Sequence, residues 1–515
     1  MKRLCFVAML AAWLSLPALA ATTNVTSVAD LIGALQVAKN TDEIVVMASG
    51  SPYEFTSDQK DMVAHLYARV RIRLRGETGN PADVVLRGNA NRILYLKGNG
   101  NTIRDLTFEN GDCTGYDQRS DEPKDTLRGG AIYLYVDNDS TTVISNCVFK
   151  SCKSMNGGGA CGTYGLNKQG GQYFDCVFDG NCTSLKSGTQ NTMGGGAVFR
   201  AVSVKNCTFK NNYSGTLYGG ALYGVPDVAG CSIVSNATYA TSSTGGFGGG
   251  VFGCTLTGCY VASNYAYRCG AAADSAFYSC TNRANDAFGY TEFGKSSAAS
   301  PGCYAEDCVF LDAGRAAVTM FGSSGFNRCR LENMKGGCAF SQYIAMTNCL
   351  VANGRNVNTY FYNLNADSSM VNCTVVSNSW GDKFIAGSSK VLTVKNCFFY
   401  GNDIPNTAPN VVTAFNNCIL SAESDAHVPG SGNYNYYSER ATFKPGFVGV
   451  EKDPANPFAI TRRSPAFAKA GIVEGWMSTA TDIRGEGFPR LRDGAVNIGC
   501  YQCWDVIPGF TILFR

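Results

Sequence analysis

From residue 147 to residue 418 a cysteine recurs at intervals of 20 to 31 residues, with 24 repeated, and this repeat constrains the chain more than any other feature. The members are Cys147, Cys176, Cys207, Cys231, Cys259, Cys280, Cys308, Cys329, Cys349, Cys373, Cys397 and Cys418. Asn, Asp, Gly, Ser or Arg precedes each one, and an apolar residue stands two places after every member except Cys280, which is followed by Asn282. On a β-strand residues i and i+2 share a face, so each cysteine and its partner point inward together. Short strands in one register at this period cannot each bury a core alone. Stacked as coils they can, and the expected architecture is an all-β parallel solenoid, the β-helix.

Two further periodic features fit such coils. Asn181, Asn212, Asn236, Asn264, Asn378 and Asn402 each lie five residues after a ladder cysteine, where a strand would turn a corner. Asn tolerates the left-handed conformation of a corner, and stacked amides can bond from coil to coil, so an asparagine ladder is expected. Glycine runs such as Gly129-Gly130, Gly195-Gly196, Gly219-Gly220 and Gly248-Gly249-Gly250 each lead into small and apolar residues. They read as corners where backbones approach closely.

The Gly-Gly-Ala-Ile motif at Gly129 to Ile132 and the Phe-x-x-Asn motif at Phe178 to Asn181, Phe209 to Asn212 and Phe399 to Asn402 resemble the repeats of the chlamydial polymorphic outer-membrane proteins. The resemblance covers roughly Gly129 to Asn402. It implies a right-handed parallel β-helix displayed at a cell surface, with roles in adhesion. Those proteins end in a transmembrane β-barrel, and here the residues after the repeats are too few for one, since a small barrel needs eight strands of about ten residues.

The flanks complete the expected organisation. Lys2 and Arg3, an apolar run from Leu4 to Leu16 and the triplet Ala18-Leu19-Ala20 have the layout of a signal peptide over 1–20, so an exported, secreted or surface location is expected. Residues 21–60 read as an N-terminal cap and first strand. Val28, Leu31, Ile32, Leu35 and Ala38 fall on one helical face after Ser27, which gives a capping helix. Residues 61–430 read as the β-helix, with Asp112 to Arg128 as a polar insertion beside it. Residues 431–515 read as its end region. In that region Ser464-Pro465-Ala466, Gly471, Asp482, Gly485, Pro489-Arg490 and Val496 to Gly499 are similar to the end of choice-of-anchor type surface β-helix proteins, over about Asn456 to Gln502.

Composition narrows the chemistry. The chain carries 43 Lys+Arg against 40 Asp+Glu, and this near balance argues against binding nucleic acid. No second long apolar stretch follows the signal, so no transmembrane helix is expected in the mature chain. Only His65 and His427 are present, neither in a metal-binding spacing, so no metal and no cofactor is expected. Neighbouring strands lie about 4.8 Å apart, wider than the roughly 3.8 Å between β-carbons that a disulfide prefers, so ladder cysteines are expected to stay thiols. Cys113, Cys152, Cys161, Cys182, Cys269 and Cys303, off the ladder, are the disulfide candidates. Cys500 and Cys503 are expected to pack or to form a local disulfide.

One charged cluster stands out. Asp307 and Arg328 precede ladder cysteines of successive coils, so both should point outward one above the other, with Asp312, Arg315, Arg283 and Arg330 nearby. Such a group could bind a uronic acid or move a proton, or form an exposed salt bridge. Tyr260, Tyr265, Tyr267 and Tyr278 could stack on sugar rings. The function expected is recognition or adhesion toward a polysaccharide or another cell-surface ligand. The alternatives are a polysaccharide lyase or glycoside hydrolase using the Asp307/Arg328 face, and a structural surface or coat protein.

Overall fold

The structure, a computed structural model, describes residues 20–503 apart from internal stretches, the longest being 57–70, 116–126, 185–192, 239–245 and 405–412. Residues 1–19 of the expected signal segment, His65 and Arg315 lie outside the described residues.

The repeat builds a parallel β-helix. A coil can be followed from Ser203–Lys205 through Thr208–Lys210 and Tyr213–Ser214 to Leu222–Tyr223. Its strands belong to three sheets, of 27, 16 and 6 strands among the described residues, and each pairs in parallel with the same strand of the next coil. The first sheet holds two columns of strands. They fuse where Thr319–Asn327 pairs with both Thr291–Gly294 and Cys303–Glu306.

Each ladder cysteine begins its turn onto the second sheet and faces the core with its partner. Both are buried throughout, and the partners continue a ring stack begun at Phe108 of the preceding coil: Phe108, Phe149, Phe178 and Phe209 follow at centroid distances of 5.0, 4.7 and 4.7 Å. Burial of each phenyl contributes about 2–3 kcal/mol, and the offset stack adds roughly 1 kcal/mol. The thiols also serve the backbone. The amide of Cys176 donates to the Cys207 Sγ at 3.4 Å, that of Cys207 to Cys231 at 3.3 Å and that of Cys231 to Cys259 at 3.4 Å.

The asparagine ladder is present, and its conformation differs from expectation. The Asn181 backbone N–H and Nδ2 both donate to the Asn212 Oδ1, at 3.0 and 2.9 Å, and the pattern continues through Asn236, Asn264 and Asn285. The left-handed residue is the one before it: Gly180, Asn211, Ser235, Ser263 and Ala284 have φ between 48° and 65°. A second left-handed column precedes the ladder cysteines, including Asn206, Ser279, Asp307, Arg328 and Asn348. The ladder amide must point into the stack to reach its neighbour, which leaves the turn itself to the preceding residue. Close approach explains the glycine pairs, since a β-carbon on Gly220 would lie 1.9 Å from the Gly249 carbonyl oxygen.

The disulfide expectation is corrected. Cys113, Cys152, Cys161, Cys182, Cys269 and Cys303 are in no disulfide, nor are Cys500 and Cys503, and all but Cys182 are buried. The cysteines off the ladder take other inward positions of the same coils, where parallel stacking keeps them apart; Cys152, for instance, donates its backbone N–H to the Asn181 Oδ1. Arg128 is likewise no part of an exposed insertion. Its buried guanidinium donates to the Thr163 carbonyl at 2.9 Å and lies 4.6 Å from the Phe199 ring centroid.

At the N-terminal side the helix Val28–Val37 forms where the periodicity predicts it, with Ser27 accepting from the Asp30 N–H and Leu31, Ile32 and Leu35 buried in the main core. At the other side the C-terminal residues lie along the wall of the stack, against the outer face of the second sheet. There Leu350, Ala352, Phe398 and Ile419 form a core with Ile460, Ala466, Ile498 and Tyr501. In earlier coils the position of Ala352 carries Lys150, Asp179 and Lys210, and that of Leu350, Phe398 and Ile419 carries Val148, Val177 and Thr208, none of them buried. The buried Arg490 donates to the Asn497 and Gly499 carbonyls and holds this region's final turn. No helix among the described residues is long and apolar enough to cross a membrane.

Candidate functional site

The corner between the first and second sheets carries the ionic group. The coil with the strand Cys303–Glu306 turns at Asp307, and the next turns at Arg328. The two stand one coil apart, as their shared position before a ladder cysteine requires. The Arg328 guanidinium donates to both oxygens of Asp307, Nε to Oδ1 at 2.7 Å and Nη2 to Oδ2 at 2.8 Å, and Nη2 donates also to the Glu306 Oε1 at 2.6 Å. Glu306 accepts further from the Tyr304 hydroxyl at 3.1 Å and the Asn327 Nδ2 at 3.1 Å. The Asp307 carboxylate outweighs burial and holds Arg328 above its ordinary range, so it stays a cation. Burial, aided by Glu306, pushes the Tyr304 phenol up to about 12.

The C-terminal region turns this corner into a cleft. Residues 476–486 pass in front of it, fastened by the Lys395–Glu474 ion pair, by Asn348 Nδ2 donating to the Thr481 carbonyl at 3.2 Å, and by the buried Asp482, which receives Arg484 and the Gln502 N–H. Between strap and wall lie two adjoining hollows that share Arg328 and Ala480. One, of about 640 Å³, is lined by Asp307, Arg328, Arg330, Thr481, Arg484 and Glu486. The other, of about 590 Å³, is lined by Tyr304, Asn327, Arg328, Tyr343, Asn348 and Trp476. Tyr304, Tyr343 and Trp476 are more than a third exposed despite their size, and Tyr278 lies 6.0 Å from Tyr304 along the same sheet. A β-carbon on Gly325 would come within 3.2 Å of the Tyr304 ring, so the glycine gives that ring its bed.

The other residues singled out from the sequence are distributed differently. Asp312 is at the opposite corner of the second sheet, bound by Arg283 at 3.2 Å, because the strand Val309–Leu311 separates it from Asp307. Arg330 pairs with Glu332 at 2.7 Å and donates to the Ala455 carbonyl. Tyr260 is exposed on the second sheet, Tyr265 lies in the third and Tyr267 just beyond it, so the three form no common platform with Arg328. Alternation along Cys303–Glu306 identifies Tyr304 as outward facing. Trp476 and Arg484 have no such local signal.

A chain of stacked parallel coils with a cleft on its flank is a parallel β-helix protein. No protein-family model matches the sequence, and no curated protein matches it. Among solved structures it is similar to a mutant of the PL6 family alginate lyase AlyGC, with 13% identity over 76% of this chain and a TM-score of 0.28. It is also similar to the pectate lyase Pel9A, at 11% over 92% with a TM-score of 0.23 and 90% of that chain covered. A third is the catalytic domain of a GH87 alpha-1,3-glucanase, at 12% over 80% with a TM-score of 0.27 and 68% of that chain covered. The match spans 53% of the alginate lyase chain.

Proposed function

We propose that the protein engages a polysaccharide in the cleft beneath residues 476–486. The observation that carries this reading is the placing of three exposed aromatic side chains, Tyr304, Tyr343 and Trp476, in one hollow with Arg328, whose partner Asp307 lines the adjoining one. Aromatic faces cover the apolar faces of sugar rings, while a fixed array of carboxylate, guanidinium and amide groups bonds their hydroxyls. The two lyases and the glucanase named above accord with that ligand class and add no weight to it.

Recognition is the first reading because Arg328 and Tyr304 enter the cleft as hydrogen-bond donors rather than as bases. A general base works best with a pKa near the working pH. Arg328 is locked as a cation, and the Tyr304 phenol keeps its proton at neutral pH. Cleavage by a lyase or hydrolase is the second reading, favoured by the convergence of Glu306 and Asp307 on one side of the cleft. Export, display at a cell surface and an adhesive role, which the resemblance to chlamydial outer-membrane passengers implies, belong to the same proposal.

A glycan screen that scores both retention and the release of unsaturated or reducing ends tests it. Retention that is lost in Trp476→Ala supports recognition in the cleft. Product release abolished by Asp307→Ala establishes the enzymatic reading, and absence of both retention and release for every polysaccharide overturns both.

A further inference from the structure

The strand Val309–Leu311 runs between two hollows. Asp307 and Val309 line the one already described, and Asp312 lines another of about 500 Å³ at the far corner of the second sheet. Both corners are left-handed, with φ of 54° at Asp307 and 58° at Asp312, so one coil presents a carboxylate at each end of the same strand. The far carboxylate is dressed like the near one. Arg283 reaches it at 3.2 Å from the preceding coil, and Asn333 at 3.5 Å and Lys335 at 3.8 Å from the following one. Tyr265 and Asp286 of the third sheet form the opposite wall. Arg283 and Lys335 are more than half exposed, so their donors face solvent and can meet a ligand.

Resting on the polysaccharide reading of the first cleft, we propose that this second hollow is a further saccharide site, occupied by the same polymer as it crosses the second sheet. Five residues of extended chain span at most about 16 Å. The outer side chains along the way, Val309 and Leu311, are short and half-buried and leave the passage low. A disaccharide does not bridge that distance and a longer oligosaccharide does. The ligand class is therefore a polymer bound over several consecutive sugars. Its hydroxyls meet a carboxylate with flanking cations at each end, an arrangement balanced in charge and suited to a neutral chain.

The test uses the full-length protein and size-graded oligosaccharides of the glycan retained in the screen, with affinity measured by calorimetry. The hexasaccharide is expected to bind at least about tenfold more tightly than the disaccharide, since a second contact on one chain multiplies affinity. Arg283→Ala with Asp312→Ala should remove that advantage and leave disaccharide affinity unchanged, with Lys335→Ala as a milder variant that keeps the Arg283–Asp312 pair. Circular dichroism melts of each variant establish folding. Hexasaccharide affinity unchanged in both variants overturns the second site, while sensitivity to Trp476→Ala keeps the first cleft. Absence of oligosaccharide binding by the unaltered protein overturns both.

Discussion

Arg328 occupies a left-handed corner, φ 50°, in a column where other coils place Asn, Asp, Gly or Ser. A long side chain held there costs of order 1 kcal/mol or more, and such outliers gather at working sites. Arg328→Asn, which restores the usual corner residue, is therefore expected to keep thermal stability within about 1 kcal/mol of the parent, because the lost pair is partly exposed. Retention on the glycan should fall sharply in the same variant. Equal loss of both would assign Arg328 to folding alone. Asn282 is the opposite case: it replaces the inward apolar partner, is stacked between Val261 and Phe310, and its buried amide has no hydrogen-bond partner among the described residues. Asn282→Val should raise unfolding free energy by about 1–3 kcal/mol, read from the urea midpoint. The break at Asn282 is visible in the repeat, and so is Asn285, five places after Cys280, which continues the amide ladder.

The strap over 476–486 is an element whose attachment depends on pH. Lys395 holds the Glu474 carboxyl below its ordinary value near 4.5, outweighing burial, and the Trp476 indole adds to the effect. A carboxyl depressed on folding contributes its full stabilisation above the unfolded value and loses it as the pH falls through the lower folded value. Loosening of the strap should therefore begin as the pH drops below about 4.5, seen as a change in Trp476 fluorescence against a Trp476→Phe control, and Glu474→Gln should abolish the transition. A titration identical in Glu474→Gln would remove this ion pair as the fastening. The strap itself was not legible in the sequence, because contacts such as Asn348 to Thr481 join residues 133 positions apart with no periodicity to connect them. The wall that receives the C-terminal region left a fainter trace. Ala352 stands at the outward position that carries Lys150, Asp179 and Lys210 in earlier coils, and Leu350, Phe398 and Ile419 are larger than Val148 and Val177 at theirs.

In the whole molecule each coil is bonded to its two neighbours, and pairs such as Asp307 with Arg328 were readable because one coil separates them by 21 residues. Turn conformation was misplaced by one residue, since composition shows which side chains favour a corner and not which of two adjacent ones makes it. Off-ladder disulfides failed as an expectation because inward packing holds those thiols in parallel files. Burial pushes several thiols up, Cys152 and Cys254 to about 12, which suppresses the reactive thiolate. Under native conditions an alkylating reagent followed by peptide mass spectrometry should mark Cys182, half-buried where the other described thiols are buried, before any rung of the ladder. Uniform labelling would contradict the packed stack. The rungs run from Cys147 to Cys418, one to a coil, so each labelled peptide carries an address along the axis. The molecule thus holds its own graduated scale: the order in which rungs become labelled under mild denaturant would report where the solenoid first comes apart and in which direction the opening travels.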